Sequence, residues 1–219
     1  MNRDDAEDAI LMLFAQYSTQ AATAGPAVLK ALSEGKLYEM YVLSELVTDL
    51  VNRGCQLVFC GTTLKFKAAP GKIKSSDPHF EVHTPRGIVL LLYVDIEFVT
   101  LGRNQTGRTD LSCTHELDIV IVTPGGDYPS FGEIWLGVEC KSTANFGKQL
   151  IKEVLGVRRE MALLHRPRPS MLSDAGLSPL KGVPSDPPSE FWLTYIDAAG
   201  DNYRQSPSAF GVELRHIQP

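Results

Sequence analysis

The sequence predicts an α/β sandwich, a central mixed β-sheet flanked by helices. Three observations predict it. Residues 36–53 read as a long amphipathic helix that Gly54 stops. Apolar β-branched runs fill the middle of the chain, at 88–101, at 118–122 and in a stretch that Gly137-Val138-Glu139-Cys140-Lys141 closes. A second amphipathic helix, at 146–165, precedes two further strands at 191–197 and 209–217. Helices interleaved with strands in this order build helix layers on a sheet. At 219 residues the chain suits one compact domain.

The elements follow in order. Ile10, Leu11, Leu13 and Phe14 recur at helical spacing and predict a helix over 4–18. Small residues at 21–26 break it. A short helix over 26–32 then ends near Gly35, so that 1–35 forms a helical extension before a main domain at 36–219. On the 36–53 helix Leu43, Leu46 and Leu50 share one face. Glu39 falls within that apolar stripe, whereas Glu45 and Asp49 lie off it. A carboxylate rarely faces a core without a partner, although near a helix start it also suits the macrodipole. Residues 56–67 predict a strand, 68–78 a loop, and 80–83 a short strand turning at Thr84-Pro85-Arg86-Gly87. The 88–101 run is long enough to imply a bend. The polar stretch 102–112 reads as a loop, with Arg103 and Arg108 either facing a phosphate backbone or simply solvated.

Two strands come next. His115-Glu116-Leu117-Asp118 opens the first, and Gly137-Val138-Glu139-Cys140-Lys141 closes the second. Residues two apart in a strand share a face, so Glu139 and Lys141 project together and Cys140 points away into the core. If the strands pair as a hairpin, Asp118 joins them. Two carboxylates and an ammonium in one place suit a divalent ion and a water to be activated. On the helix at 146–165, Leu150, Ile151, Val154, Met161 and Leu164 lie on one side. Lys148, Lys152 and Arg159 lie on the other, as a solvated face or a phosphate-facing wall. The Pro-, Ser- and Gly-rich segment 166–190 is expected to be an irregular excursion.

Composition narrows the function classes. A formal net charge of -5 argues against a passive polyanion binder, but not against a nuclease whose carboxylates lower the sum. Cys55, Cys60, Cys113 and Cys140 form no C-x-x-C pair, which disfavours a zinc ribbon. No apolar run approaches the ~20 residues of a membrane span. The acidic start Met1-Asn2-Arg3-Asp4-Asp5 lacks a signal peptide's apolar core, so a cytoplasmic protein is expected. His83, His115 and His165 make no metal spacing, and Tyr38, Tyr41, Trp135 and Trp192 read as packing residues.

The chain resembles the PD-(D/E)XK nuclease superfamily. That motif is an acid on an early helix, an Asp opening a strand, and (D/E)-x-K on the next. Glu39, Asp118, Glu139 and Lys141 match it in order, with Leu117 where the motif's name has Pro. The resemblance spans about 36–165. It implies a restriction-endonuclease-like fold and a metal-dependent nuclease using Mg²⁺ or Mn²⁺. Its metal ligands would be Asp118, Glu139, Glu39 and the Cys140 backbone carbonyl, with Lys141 as the water-orienting or charge-stabilising group. Glu116 is an outer acid or an exposed strand-end charge. Lys148, Gln149, Lys152, Arg159, Arg103 and Arg108 are the candidate nucleic-acid contacts. DNA is the favoured substrate, RNA the alternative, in a restriction, antiviral-defence or repair setting. A homodimer or a subunit of a larger complex is expected. The competing reading is a catalytically silent nucleic-acid-binding or assembly subunit.

Overall fold

The structure is a computed structural model that describes residues 1–17, 29–61, 67 and 69–219. Helix α1 (Arg3–Tyr17) is followed by α2 (Glu34–Asn52), strands β1 (Gln56–Cys60), β2 (His79–His83) and β3 (Val89–Val99), and helix α3 (Leu101–Thr106). Strands β4 (Thr114–Val122) and β5 (Ile134–Lys141), helix α4 (Lys148–Met161), strand β6 (Leu163–Pro169) and helix α5 (Met171–Asp174) come next. Strands β7 (Gly182–Asp186) and β8 (Glu190–Tyr195), helix α6 (Gln205–Ser208) and strand β9 (Val212–His216) complete the chain.

One seven-stranded sheet runs β1-β2-β3-β4-β5-β8-β9. Strands β1 to β5 form an antiparallel meander, and β8 and β9 join parallel to β5. The sheet is therefore mixed and mostly antiparallel. A parallel neighbour needs a crossover, and the segment from α4 to β7 supplies it.

Helices cover both faces. Leu37, Val42, Leu43, Leu46, Val47 and Leu50 of α2, with Ala6 and Ile10 of α1, pack on Val82, Leu92, Ile121, Leu136, Val138 and Trp192. On the other face Val154 and Met161 of α4 meet Val120, Phe191, Leu193 and Leu214. Burying these stripes is the main drive to the fold, roughly 1.5–3 kcal/mol per fully buried large apolar side chain.

One strand pair breaks the alternation. In β3, Leu90, Leu92 and Val94 face the α2 layer, but Ile96 and Phe98 face the α4 layer. Asp95 between them has a φ of 52°, the left-handed region an Asp tolerates better than a branched residue. Across the ladder, Ile119 and Ile121 face α2 while Leu117 faces α4. Asp95 and Asp118 lie opposite each other, between the pairs Val94–Ile119 and Ile96–Leu117. Both strands thus change phase at one point, and the bend expected in the long run falls there.

The structure corrects several expected boundaries. Gly35 does not end a helix. It lies in the first turn of α2, whose N-cap is Ser33, with its side chain accepting from the Lys36 N–H. Residues 101–106 are helical because Thr100 caps their start and left-handed Gly107 closes their end. Helix α4 runs Lys148–Met161 instead of 146–165: Ala162 turns extended and Leu164 becomes an exposed residue of β6. Its N-cap is Gly147, with no side-chain cap. The excursion at 166–190 is not irregular, since β6 and β7 pair as a second antiparallel sheet around α5. The expected strand at 56–67 is seen over Gln56–Cys60, and 62–66 lie outside the described residues. The break at 21–26 and most of the short helix after it also lie outside them; residues 29–30 are helical. Among the described residues no helix is long and apolar enough to cross a membrane.

Candidate active site

The phase change aims carboxylates at the start of α2. Glu39, Asp95 and Asp118 each offer one oxygen, and these oxygens all lie within 4.8 Å of one another. Asp118 also seals the end of the β4–β5 hairpin. The ladder pairs Ile119 with Val138, and beyond it the Asp118 carboxylate accepts the Cys140 backbone N–H at 2.6 Å. A side chain there replaces a strand partner, so the two strands stay tied while their ends open.

Glu139 and Lys141 leave β5 on the side opposite Leu136, Val138 and Cys140, which pack against the α2 layer. Their alternation is as expected for a strand, and Cys140 is buried in the core. Lys141 Nζ is 3.2 Å from Glu139 Oε2. Glu139 is not part of the three-carboxylate group. Asp118 stands between the two sets, its charge acting on Glu39 and on Glu139.

The electrostatics are those of excess negative charge in a dry place. Burial, then Asp118, push the Glu39 carboxyl up to about 7, despite Lys36. Burial and Asp118 push Glu139 up to about 8, against the pull of Lys141. Asp118 is raised by burial, which outweighs the Cys140 N–H and Lys141. For Lys141 burial works downward, but Glu139 and Asp118 overcome it and hold the ammonium above its usual range. With all groups ionised, Glu39, Asp95, Asp118 and Glu139 carry four negative charges, and Lys36 and Lys141 return two positive ones. The balance is negative. Hard, closely spaced carboxylate oxygens of this kind could hold a divalent cation such as Mg²⁺ or Mn²⁺.

Two members of this site were not singled out in the sequence. Asp95 is buried in the middle of a central strand, and the only trace of it in the sequence is a carboxylate inside the apolar run 88–101. Lys36 bonds Glu39 Oε2 at 2.6 Å and also bonds Asp95 Oδ2. Exposed Glu116 adds negative charge felt by Asp118 and Glu139.

The candidate nucleic-acid contacts are dispersed. Lys148, Gln149, Lys152 and Arg159 are exposed on α4, the helix on the side to which Glu139 and Lys141 point. Gln149 bonds Glu153, one turn on. Arg103 and Arg108 line a separate cavity of about 250 Å³ with His115 and Glu160. In comparisons with family models, curated proteins and solved structures, nothing matches this chain.

Proposed function

We propose that this protein is a Mg²⁺- or Mn²⁺-dependent nuclease of PD-(D/E)XK type, hydrolysing phosphodiester bonds in DNA. The observation that carries the reading is the meeting of Glu39, Asp95 and Asp118 oxygens beside a Glu139–Lys141 pair. The order of elements supports it too: an acid on α2, Asp118 early in β4, Glu-x-Lys ending β5, and helix α4 behind.

Glu39, Asp95 and Asp118 would hold the ion, with Glu139 at its edge. A bound divalent ion supplies positive charge against the phosphate oxygens, where negative charge grows during attack. The chain does the rest. Lys141, its ammonium held above the usual range by Glu139 and Asp118, is suited to stabilising and positioning developing charge. Glu139, paired with Lys141 on the α4 side of the sheet, is suited to orienting the attacking water. The Asp118–Cys140 bond fixes the spacing between the two strands that carry these groups. Lys148, Lys152 and Arg159 would steer the polyanion from the α4 side.

Supercoiled plasmid incubated with Mg²⁺, Mn²⁺ or EDTA tests this. Nicking or linearisation is expected with either metal and none with EDTA. Glu139→Ala and Lys141→Ala should abolish it while remaining folded by circular dichroism. Cleavage unchanged in those variants overturns the site. Tight binding of DNA or RNA with no cleavage would favour a binding subunit.

A further inference from the structure

Lys36 is out of place by local rules. It sits in the first turn of α2, where the helix dipole favours anions and disfavours cations. Its side chain is only 19% exposed, and lysine is seldom so buried without partners. Its ammonium bridges Glu39 Oε2, at 2.6 Å, and Asp95 Oδ2. Those two carboxylates belong to the three-oxygen group with Asp118. The Lys36 ammonium is thus bonded to two of the three groups that would ligate a divalent ion.

An ion held at ~2.1 Å from oxygens of the same carboxylates would meet the ammonium at a few ångströms, in a half-buried site that screens two cations poorly. The ammonium also engages two of the three carboxylates that the ion needs. Lysine has a flexible four-carbon stem and a strongly hydrated head, so it can leave at modest cost where a path to water exists. The partial exposure of Lys36 supplies that path.

Resting on the metal-site reading above, we infer that Lys36 is a built-in counter-ion that holds the acidic site closed and is exchanged for the divalent cation on loading. The protein is thereby spared uncompensated buried charge when metal is scarce. Loading requires metal at a concentration sufficient to expel the lysine, which sets a threshold for activation.

The test has two arms on the full chain. In the first, wild-type protein is acetylated briefly in EDTA and in saturating Mg²⁺, and Lys36 labelling is read by mass spectrometry. Lys36 should be protected in EDTA and label several-fold faster with Mg²⁺, while Lys152 labels equally in both. Lys36 equally protected in both conditions overturns the inference. In the second, Mn²⁺ binding is titrated calorimetrically for wild type and Lys36→Met. The variant should bind at least about tenfold more tightly, because one competing charge is gone. Equal or weaker binding by a folded Lys36→Met protein overturns the exchange while leaving the metal site standing. No Mn²⁺ binding by either protein removes the metal site, and the inference with it. The labelling arm needs no variant, so a misfolded Lys36→Met does not rescue the idea.

Discussion

Glu190 and Glu139 are buried carboxylates on neighbouring parallel strands, β8 and β5, and their surroundings differ in kind. Glu190 is fully buried and fully answered. Ser170 Oγ donates to it at 2.7 Å, Lys181 Nζ at 2.9 Å and Trp192 Nε1 at 3.3 Å, and Arg53 lies 4.0 Å away. Around it Lys181 also holds Glu213, Arg215 bonds Glu213, and the Arg215 guanidinium stacks on Trp192 at 3.2 Å. Its partners come from the end of α2, the 166–190 excursion and β8, and Lys181 and Trp192 link on to β9, so the cluster staples distant segments together. Glu139 has one cation, Lys141, and faces the added charge of Asp118. The first arrangement spends its polar groups on holding a shape. The second leaves charge unanswered and is open to an incoming cation. Burial alone does not mark a functional carboxylate; burial with too few fixed partners does.

The contrast can be broken by exchanging what each site loses. The largest effect expected is on turnover. Asp118→Asn should lower Mg²⁺-dependent cleavage by ~10³-fold or more, the scale of removing a charge-placing group, without lowering the unfolding midpoint in EDTA. Next comes Glu190→Ala, which orphans the Trp192 indole, leaves Lys181 with Glu213 alone and removes the buried acceptor of the Ser170 hydroxyl. It should cost about 3–5 kcal/mol of stability in urea unfolding. A loss under 1 kcal/mol would contradict the staple role.

The third effect is a pH dependence. Glu39 and Glu139 ionise near 7 and 8 in the fold, against 4.5 as the ordinary value. Between these values the folded state keeps protons that the unfolded chain has released. Stability in EDTA should therefore fall as pH rises from about 4.5 to about 8. Glu213, held below its usual value, loses its contribution only in more acid solution. Saturating Mg²⁺ should flatten the decline, and a profile indifferent to Mg²⁺ would count against cation entry. A smaller effect is expected for Glu139→Gln. At pH 8.5 in EDTA it should stabilise the protein by at least about 1 kcal/mol, since each of the several pKa units of mismatch is worth ~1.4 kcal/mol. The smallest is Lys152→Ala on α4. It should weaken DNA binding a few-fold and reduce the salt slope by about one, leaving the melting temperature unchanged.

The helix layers, the strands and the hairpin were legible because they rest on local periodicity, whereas the parallel return of β8 and β9 was not. Asp118, Glu139 and Lys141 could be located on their strands because charges close to the ends of apolar runs stand out. Glu39 stood out on an apolar helix face. Asp95 did not, because reading a strand by alternate residues assumes extended backbone throughout, and its left-handed conformation violates that at one position. Lys36 was missed because a long side chain reaches partners 59 positions away along the chain, which no local pattern records. The 166–190 excursion looked irregular because its order comes from bonds of its Ser189 and Glu190 to residues outside it, buried Arg158 and Trp192 among them. Arg158 donates to the Ser189 hydroxyl and carbonyl, both at 3.0 Å.

The phase change at Asp95 and Asp118 also acts as a lock on alignment. An ordinary hairpin can slip by two residues and still present each side chain to its proper face. Here each strand reverses its inside and outside at one point, and the two reversals must coincide. A two-residue slip would set a reversed stretch of β3 against an unreversed stretch of β4, turning Ile96 or Leu117 to the wrong layer. The two cores on either side of the sheet therefore act as vernier scales, permitting one reading only, and at that reading the two aspartates stand face to face.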